Sequence, residues 1–198
     1  MDPTSTVRTD AIPAIATVVA PGAALSSPYL WAVLSRVPQS RAFLDRHEAI
    51  ALSGAILIWV ISGFVIESLG SYVEVYAIDR RRADHKQVLE TWWQYLRIAW
   101  NIEPIGQHYL RRLLVSFKFE LNMCVAALGS APGVLALGFM GLTSPLATAS
   151  GVSVVLLSAA ALFRAARDTA GVLAELRSCL LQGVGEPPLG ACGEAAQP

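Results

Sequence analysis

From position 121 to 163, between Glu120 and Arg164, the chain carries no Asp, Glu, Lys or Arg. At roughly 20 residues per crossing, that run is long enough for two passes through a bilayer. Two shorter charge-free runs precede it, at 11–35 and 49–66, so up to four crossings fit within 198 residues. Composition agrees: 54% of residues are hydrophobic and 15% charged, where soluble domains carry about a quarter charged. A soluble helical bundle this short would have too much surface to cover with so few charges. The expected fold class is therefore an all-α integral membrane protein. About four transmembrane helices (two to four) are expected, joined by an amphipathic cytoplasmic helical loop.

The run at 49–66, AIALSGAILIWVISGFVI, is the strongest single span, rich in Ile, Leu, Val, Phe and Trp and free of proline. It belongs to a longer helix predicted over 40–78, with Ser40 as candidate N-cap and Asp45, Arg46 and Glu48 in wet first turns. The long run divides at Gly141-Leu142-Thr143-Ser144-Pro145, a turn-forming cluster. A helical hairpin over 121–163 follows, with arms at 121–140 and 146–163. Its first arm contains Gly129-Ser130-Ala131-Pro132-Gly133, where the proline removes a backbone donor and a kink or locally opened helix is expected. The run at 11–35, after a polar start at 1–10, is the weakest span because it holds Pro13, Pro21 and Pro28. It reads as a retained span, a cleaved signal peptide or a membrane-surface segment. Asp2 and Asp10 outweigh Arg8 where a signal peptide wants positive charge.

Orientation follows from the basic residues. With four spans, one side receives Arg8, Arg80, Arg81, Arg82, Lys86, Arg97, Arg111, Arg112, Lys118, Arg164, Arg167 and Arg177, and the other only Arg36, Arg41 and Arg46. This bias places both termini and the 79–120 loop in the cytoplasm of a cell-membrane protein. Within the loop, Val88, Leu89, Trp92, Trp93, Leu96 and Trp100 recur at three- and four-residue steps, opposite Gln87, Glu90, Gln94 and Arg97. Arg80, Arg81 and Arg82 beside Trp92, Trp93 and Trp100 suit a helix lying at lipid headgroups, and burial against a partner subunit accounts for the pattern equally well. Val172, Leu173, Leu176 and Leu180 mark another amphipathic cytoplasmic helix at 164–182, before a Gly/Pro/Ala-rich tail at 183–198 that reads as disordered.

One constellation is costly enough to demand an explanation. Gly63, Glu67, Gly70 and Glu74, with Ser71, fall on one helical stripe just after the strongest span. A carboxylate inside the membrane costs on the order of 2.5–3.5 kcal/mol, so a position in the bundle interior with a partner is expected. Arg111, Arg112 and Lys118 are the candidate ion-pair partners, and His108 joins Glu67 and Glu74 as a candidate for acid/base, ion-relay or metal chemistry. The bland reading is an interhelical salt bridge, with the glycines permitting close approach.

Other chemistry is excluded by its absence from the sequence. No Gly-x-Ser-x-Gly elbow, His-Glu-x-x-His motif or Walker loop is present, and Cys124, Cys179 and Cys192 have no metal-ligand spacing. No cofactor, no resident metal and no nucleic-acid partner are expected; the partners are the bilayer and either a second copy or another membrane protein. The paired small residues Ala147 with Gly151 and Ala149 with Ser153 favour tight helix packing. The layout is similar to that of small bacterial membrane effectors, a likeness of architecture that no motif carries. The functional expectation is a non-enzymatic protein acting through assembly, as subunit of a membrane complex or as a small pore-forming or effector oligomer. The alternative is a membrane-embedded enzyme or transporter using Glu67 and Glu74.

The topology is testable by labelling single cysteines placed at Gln39, Gln94 and Gln182 in a Cys-free variant. Gln39 should label from outside and the other two only from the cytoplasmic side. External labelling at Gln94 would end this arrangement.

Overall fold

In a computed structural model of the chain, residues 3–37, 46–79 and 105–185 are described, together with isolated positions at 39, 43, 44, 86, 90 and 93. They form α1 (Pro3–Arg36), α2 (Glu48–Val73), α3 (Ile105–Phe139) and α4 (Pro145–Gly185), with no strand among the described residues. Each helix contains a segment long and apolar enough to cross a membrane: Ile15–Arg36, Glu48–Ile78, Tyr109–Phe139 and Pro145–Leu176.

Contacts between the helices set an alternating up-and-down order. Gly22 of α1 lies against the Trp59 carbonyl of α2, and Gly63 of α2 against the Val18 carbonyl of α1, so these two run antiparallel with their backbones touching. Leu25 of α1 meets Gly129 of α3, and Pro28 and Tyr29 meet Gly133, so α1 and α3 run parallel. Val134 beside Gly151 and Thr148 beside Gly138 make α3 and α4 antiparallel. Glycine allows this because it offers no Cβ at the point of closest approach. The result places α1 between α2 and α3, with α4 packed on the far side of α3.

The prolines of α1 and α3 shape the contact between those helices. Pro21 has no N–H for the carbonyl four residues earlier, which is that of Thr17, and that carbonyl instead accepts a long bond of 3.4 Å from Asn122 Nδ2 on α3. Pro132 likewise disturbs the turn before it, and the Tyr29 hydroxyl of α1 donates to the Gly129 carbonyl there at 2.7 Å. In α1 itself, Ser26 and Ser27 donate back to the carbonyls of Gly22 and Ala23 at 2.7 and 2.6 Å, ahead of Pro28. The carbonyl freed by Pro21 is thus met by a side chain of the neighbouring helix, the kind of replacement partner a proline in an apolar span calls for. Helix α1 stays unbroken through Pro21 and Pro28, and α3 stays helical through Pro132.

The hairpin turn is built by two caps. Gly141 takes a positive φ of 69°. Its N–H bonds to Gly138 O at 3.0 Å and that of Leu142 to Leu137 O at 3.0 Å, the paired bonds of a Schellman ending. Ser144 then caps α4, its Oγ accepting from the Ala147 N–H at 3.2 Å, with Pro145 at the first helical position.

Three boundaries differ from the sequence expectation. Helix α2 starts at Glu48 and not at Ser40, because His47 leaves the helical region with φ −133° and ψ 47°. At its other end the chain widens into a π-helical turn, Glu74–Asp79. The segment at 164–182 is no separate helix: α4 is continuous to Gly185, three residues into the stretch read as tail. Of the amphipathic helix expected at 86–100 only Lys86, Glu90 and Trp93 are described, each helical and exposed, and the rest of it lies outside the described residues, as does the remaining tail.

The largest buried cluster sits at one end of the bundle, where Ile78, Leu110, Phe117, Leu121, Ala166 and Leu173 pack together. Elsewhere α2 and α4 face outward: in their most apolar stretches 11% and 6% of residues are buried, against 22% in α1 and 39% in α3. In water such surfaces would aggregate, whereas lipid tails solvate them without cost.

A variant with Gly22→Val should lose roughly 1–3 kcal/mol of stability in detergent through overpacking against the α2 backbone. Tyr29→Phe should lose about 0.5–1.5 kcal/mol, one interhelical hydrogen bond. Thermal melts monitored by circular dichroism measure both, and an unchanged melt for Gly22→Val would contradict the α1–α2 contact.

Candidate functional site

Glu74, Lys118 and Glu120, which flank the apolar stretches of α2 and α3, collect at the end of the bundle that carries the buried cluster. Helix α3 brings Lys118 there, one turn before its charge-free run, and α2 brings Glu74 at the start of its widened turn. Lys118 Nζ donates to Glu74 Oε2 at 2.6 Å and to Ser71 Oγ at 3.3 Å. Their side chains are 32% and 25% exposed, so the pair is neither bathed in water nor sealed from it. On the other flank of α3, Glu120 Oε2 accepts a bond from the Thr169 hydroxyl of α4 at 3.0 Å. Helix α3 thus ties α2 and α4 together through polar contacts placed one on each side.

One turn deeper stands a buried polar junction. Asn122, 2% exposed, reaches from α3 to Thr17 of α1 with its Nδ2. Its Oδ1 lies against Gly70 of α2, where an added Cβ would overlap it, and has no hydrogen-bond partner among the described residues. Three helices meet at this amide. Asn122 was not singled out from the sequence; an amide inside a charge-free span four residues past a lysine is the signal that marks it.

The sequence placed Glu67 and Glu74 on one stripe in the bundle interior. The structure separates them. Gly63, Ile66 and Gly70 are the buried positions of α2, and Glu67, one residue past Ile66, is turned about 100° away from it. Glu67 is exposed, with no ion pair or hydrogen bond among the described residues, whereas Glu74 is held by Lys118. Interior placement with a partner therefore describes Glu74 in part, and does not describe Glu67. Of the other candidate partners, Arg111 and Arg112 are exposed, and Arg111 is engaged elsewhere. Trp93 is exposed. The side chains of His108, Arg80, Arg81, Arg82, Trp92 and Trp100 lie outside the described residues.

Chemically, this end of the bundle is a set of locks. No group of three or more His, Cys, Asp or Glu among the described residues could hold a metal ion. Cys124 is a buried thiol and Cys179 a half-buried one, with no disulfide between them. The arrangement fixes helix register with one ion pair, one carboxylate-hydroxyl bond and one buried amide, and it leaves a single carboxylate of α2 facing outward near the edge of the span.

No family model matches the chain, and comparison with curated proteins and with solved structures finds no match.

Glu74→Gln and Lys118→Met should each lower stability in detergent by roughly 1–3 kcal/mol, between the limits for exposed and fully buried pairs. Glu67→Gln should leave the melt of the monomer unchanged or raise it. A larger loss from Glu67→Gln than from Glu74→Gln in the same thermal-melt series would contradict the geometry.

Proposed function

We propose that the protein is a non-enzymatic, multi-pass component of the cell membrane that works by assembly, as subunit of a larger membrane complex or as a small pore-forming or effector oligomer. Both termini and the 79–120 segment face the cytoplasm, in keeping with the distribution of Lys and Arg. The observation that carries this reading is the outward-facing Glu67. It stands seven residues, about 10 Å of helix, deeper than Glu74, on a flank of α2 beside the exposed Phe64, Val65 and Leu69. Lipid tails satisfy those apolar neighbours but give a carboxylate nothing, and ionisable groups at such depth are found facing protein or a watery cavity. A protein surface against α2 supplies what the single chain does not.

An enzyme or transporter built on Glu67 and Glu74 together has less support. Lys118 neutralises Glu74, whereas Glu67 is exposed with no such pair among the described residues. The apolar outer faces of α2 and α4, the small outward residues Ala149 and Ser153, and the polar ties that fix the bundle's register suit a rigid subunit meeting other helices in the membrane.

Short-range cross-linking in native membranes at low expression, with a tagged chain, tests the proposal. Species larger than the monomer are expected, and they should survive mild detergent extraction. A chain that stays monomeric in native membranes would overturn assembly as its mode of action.

A further inference from the structure

We infer that the partner of Glu67 is Arg164 of a second copy of this chain, in a head-to-tail interface that lays α2 of one copy against α4 of the next. The inference rests on the assembly reading and names its partner.

Depth can be read from the contacts across the bundle. Gly70 lies beside Asn122 and Glu74 beside Lys118, so Glu67 stands level with Val125 of α3. Thr169 beside Glu120 and Gly151 beside Val134 then put Val125 level with Leu162 and Phe163 of α4. Arg164 is within about two residues, roughly 3 Å, of that depth. Like Glu67, it is exposed and has no ion pair or hydrogen bond among the described residues. No ion pair joins the two within one chain, where α2 packs chiefly on α1 and α4 on α3. Two charges of opposite sign, at one depth and each exposed in the single chain, complement each other between copies.

The helix faces around them are complementary in shape. Both α2 and α4 run in the same direction, so pairing Glu67 with Arg164 sets the whole register. Phe64 then faces Ala161, Ile56 faces Ser153 and Ser53 faces Ser150, all of them exposed in the single chain, while Val60 faces the exposed Leu157. Small residues on α4 at three of these four levels let the helices approach closely. Because the two faces differ, the contact is heterologous, and successive copies build a ring when the rotation closes.

Charge reversal across two chains tests this. The parent purified in nanodiscs or mild detergent should be oligomeric by native mass spectrometry. Glu67→Arg alone places Arg against Arg and should lose the oligomer; Arg164→Glu alone places Glu against Glu and should lose it too. The double variant carrying both changes has every interface paired whatever the number of copies, and the parental oligomer should return in it; an equal mixture of the two single variants should also recover it when the number of copies is even. Melts of the single variants close to the parent's show that each chain remains folded. An oligomer indifferent to both reversals, or a double variant that does not recover it, would overturn the Glu67–Arg164 assignment and leave assembly standing. A parent monomeric when purified, yet within a larger species in native membranes, would overturn self-pairing alone. A parent monomeric in both would overturn assembly as well.

Discussion

The structure depends on how α1 seats between α2 and α3, and that seat is made of backbone. On one side, Gly22 and Gly63 bring the main chains of α1 and α2 into contact. On the other, side chains of one helix bond to main-chain carbonyls of its neighbour: Thr17 O, left without a donor by Pro21, accepts from Asn122, and Gly129 O, in the turn before Pro132, accepts from Tyr29. In water a proline in mid-helix costs about 3 kcal/mol, and solvent covers the exposed carbonyl. In lipid that carbonyl must be met by protein, so the same defect becomes a reason for two helices to stay together. The prolines that make α1 a poor helix in isolation give it directed bonds to α3.

Stability is distributed unevenly along the bundle axis. At the end where Ile78, Leu110, Phe117 and Leu173 gather, side chains are buried as in a soluble core, with Lys118 and Glu74 beside them. Through the spans, glycine contacts and a few hydrogen bonds hold the helices, and most apolar side chains point outward. The division suits helices whose composition fits membrane spans: in water the hydrophobic effect drives burial, whereas among lipid tails apolar burial gains little and close packing and polar contacts hold helices together. The continuous α3 and α4 connect the two regimes and carry register from one to the other.

Much of the architecture is legible in the sequence because charge is costly in lipid. The charge-free runs at 11–35, 49–66 and 121–163 correspond to the four helices long and apolar enough to cross, and Gly141 and Pro145 mark the turn between the last two. What was not legible depends on which helix meets which. Stripe arithmetic put Glu67 with Gly63 and Gly70, but the buried side of α2 is centred nearer Ile66, a shift of less than one residue that turns Glu67 outward. The role of Asn122 carries no mark in the sequence because it lies in contacts with Gly70 and Thr17, more than fifty and more than a hundred residues away respectively. Pro21 and Pro28 counted against α1, since a helix read alone has no partner to receive its freed carbonyls.

Spin-label distances test the seat of α1 most directly. Labels on the exposed positions Ala16, Ser53 and Ser68, measured in pairs by pulsed electron paramagnetic resonance in nanodiscs, report how α1 lies along α2. With Val18 beside Gly63 and Gly22 beside Trp59, the distance from Ala16 to Ser68 should be shorter than that from Ala16 to Ser53 by roughly 10 Å at helical rise. Equal distances, or the reverse order, would mean that α1 does not pack antiparallel to α2 and would remove the contact on which the rest is built.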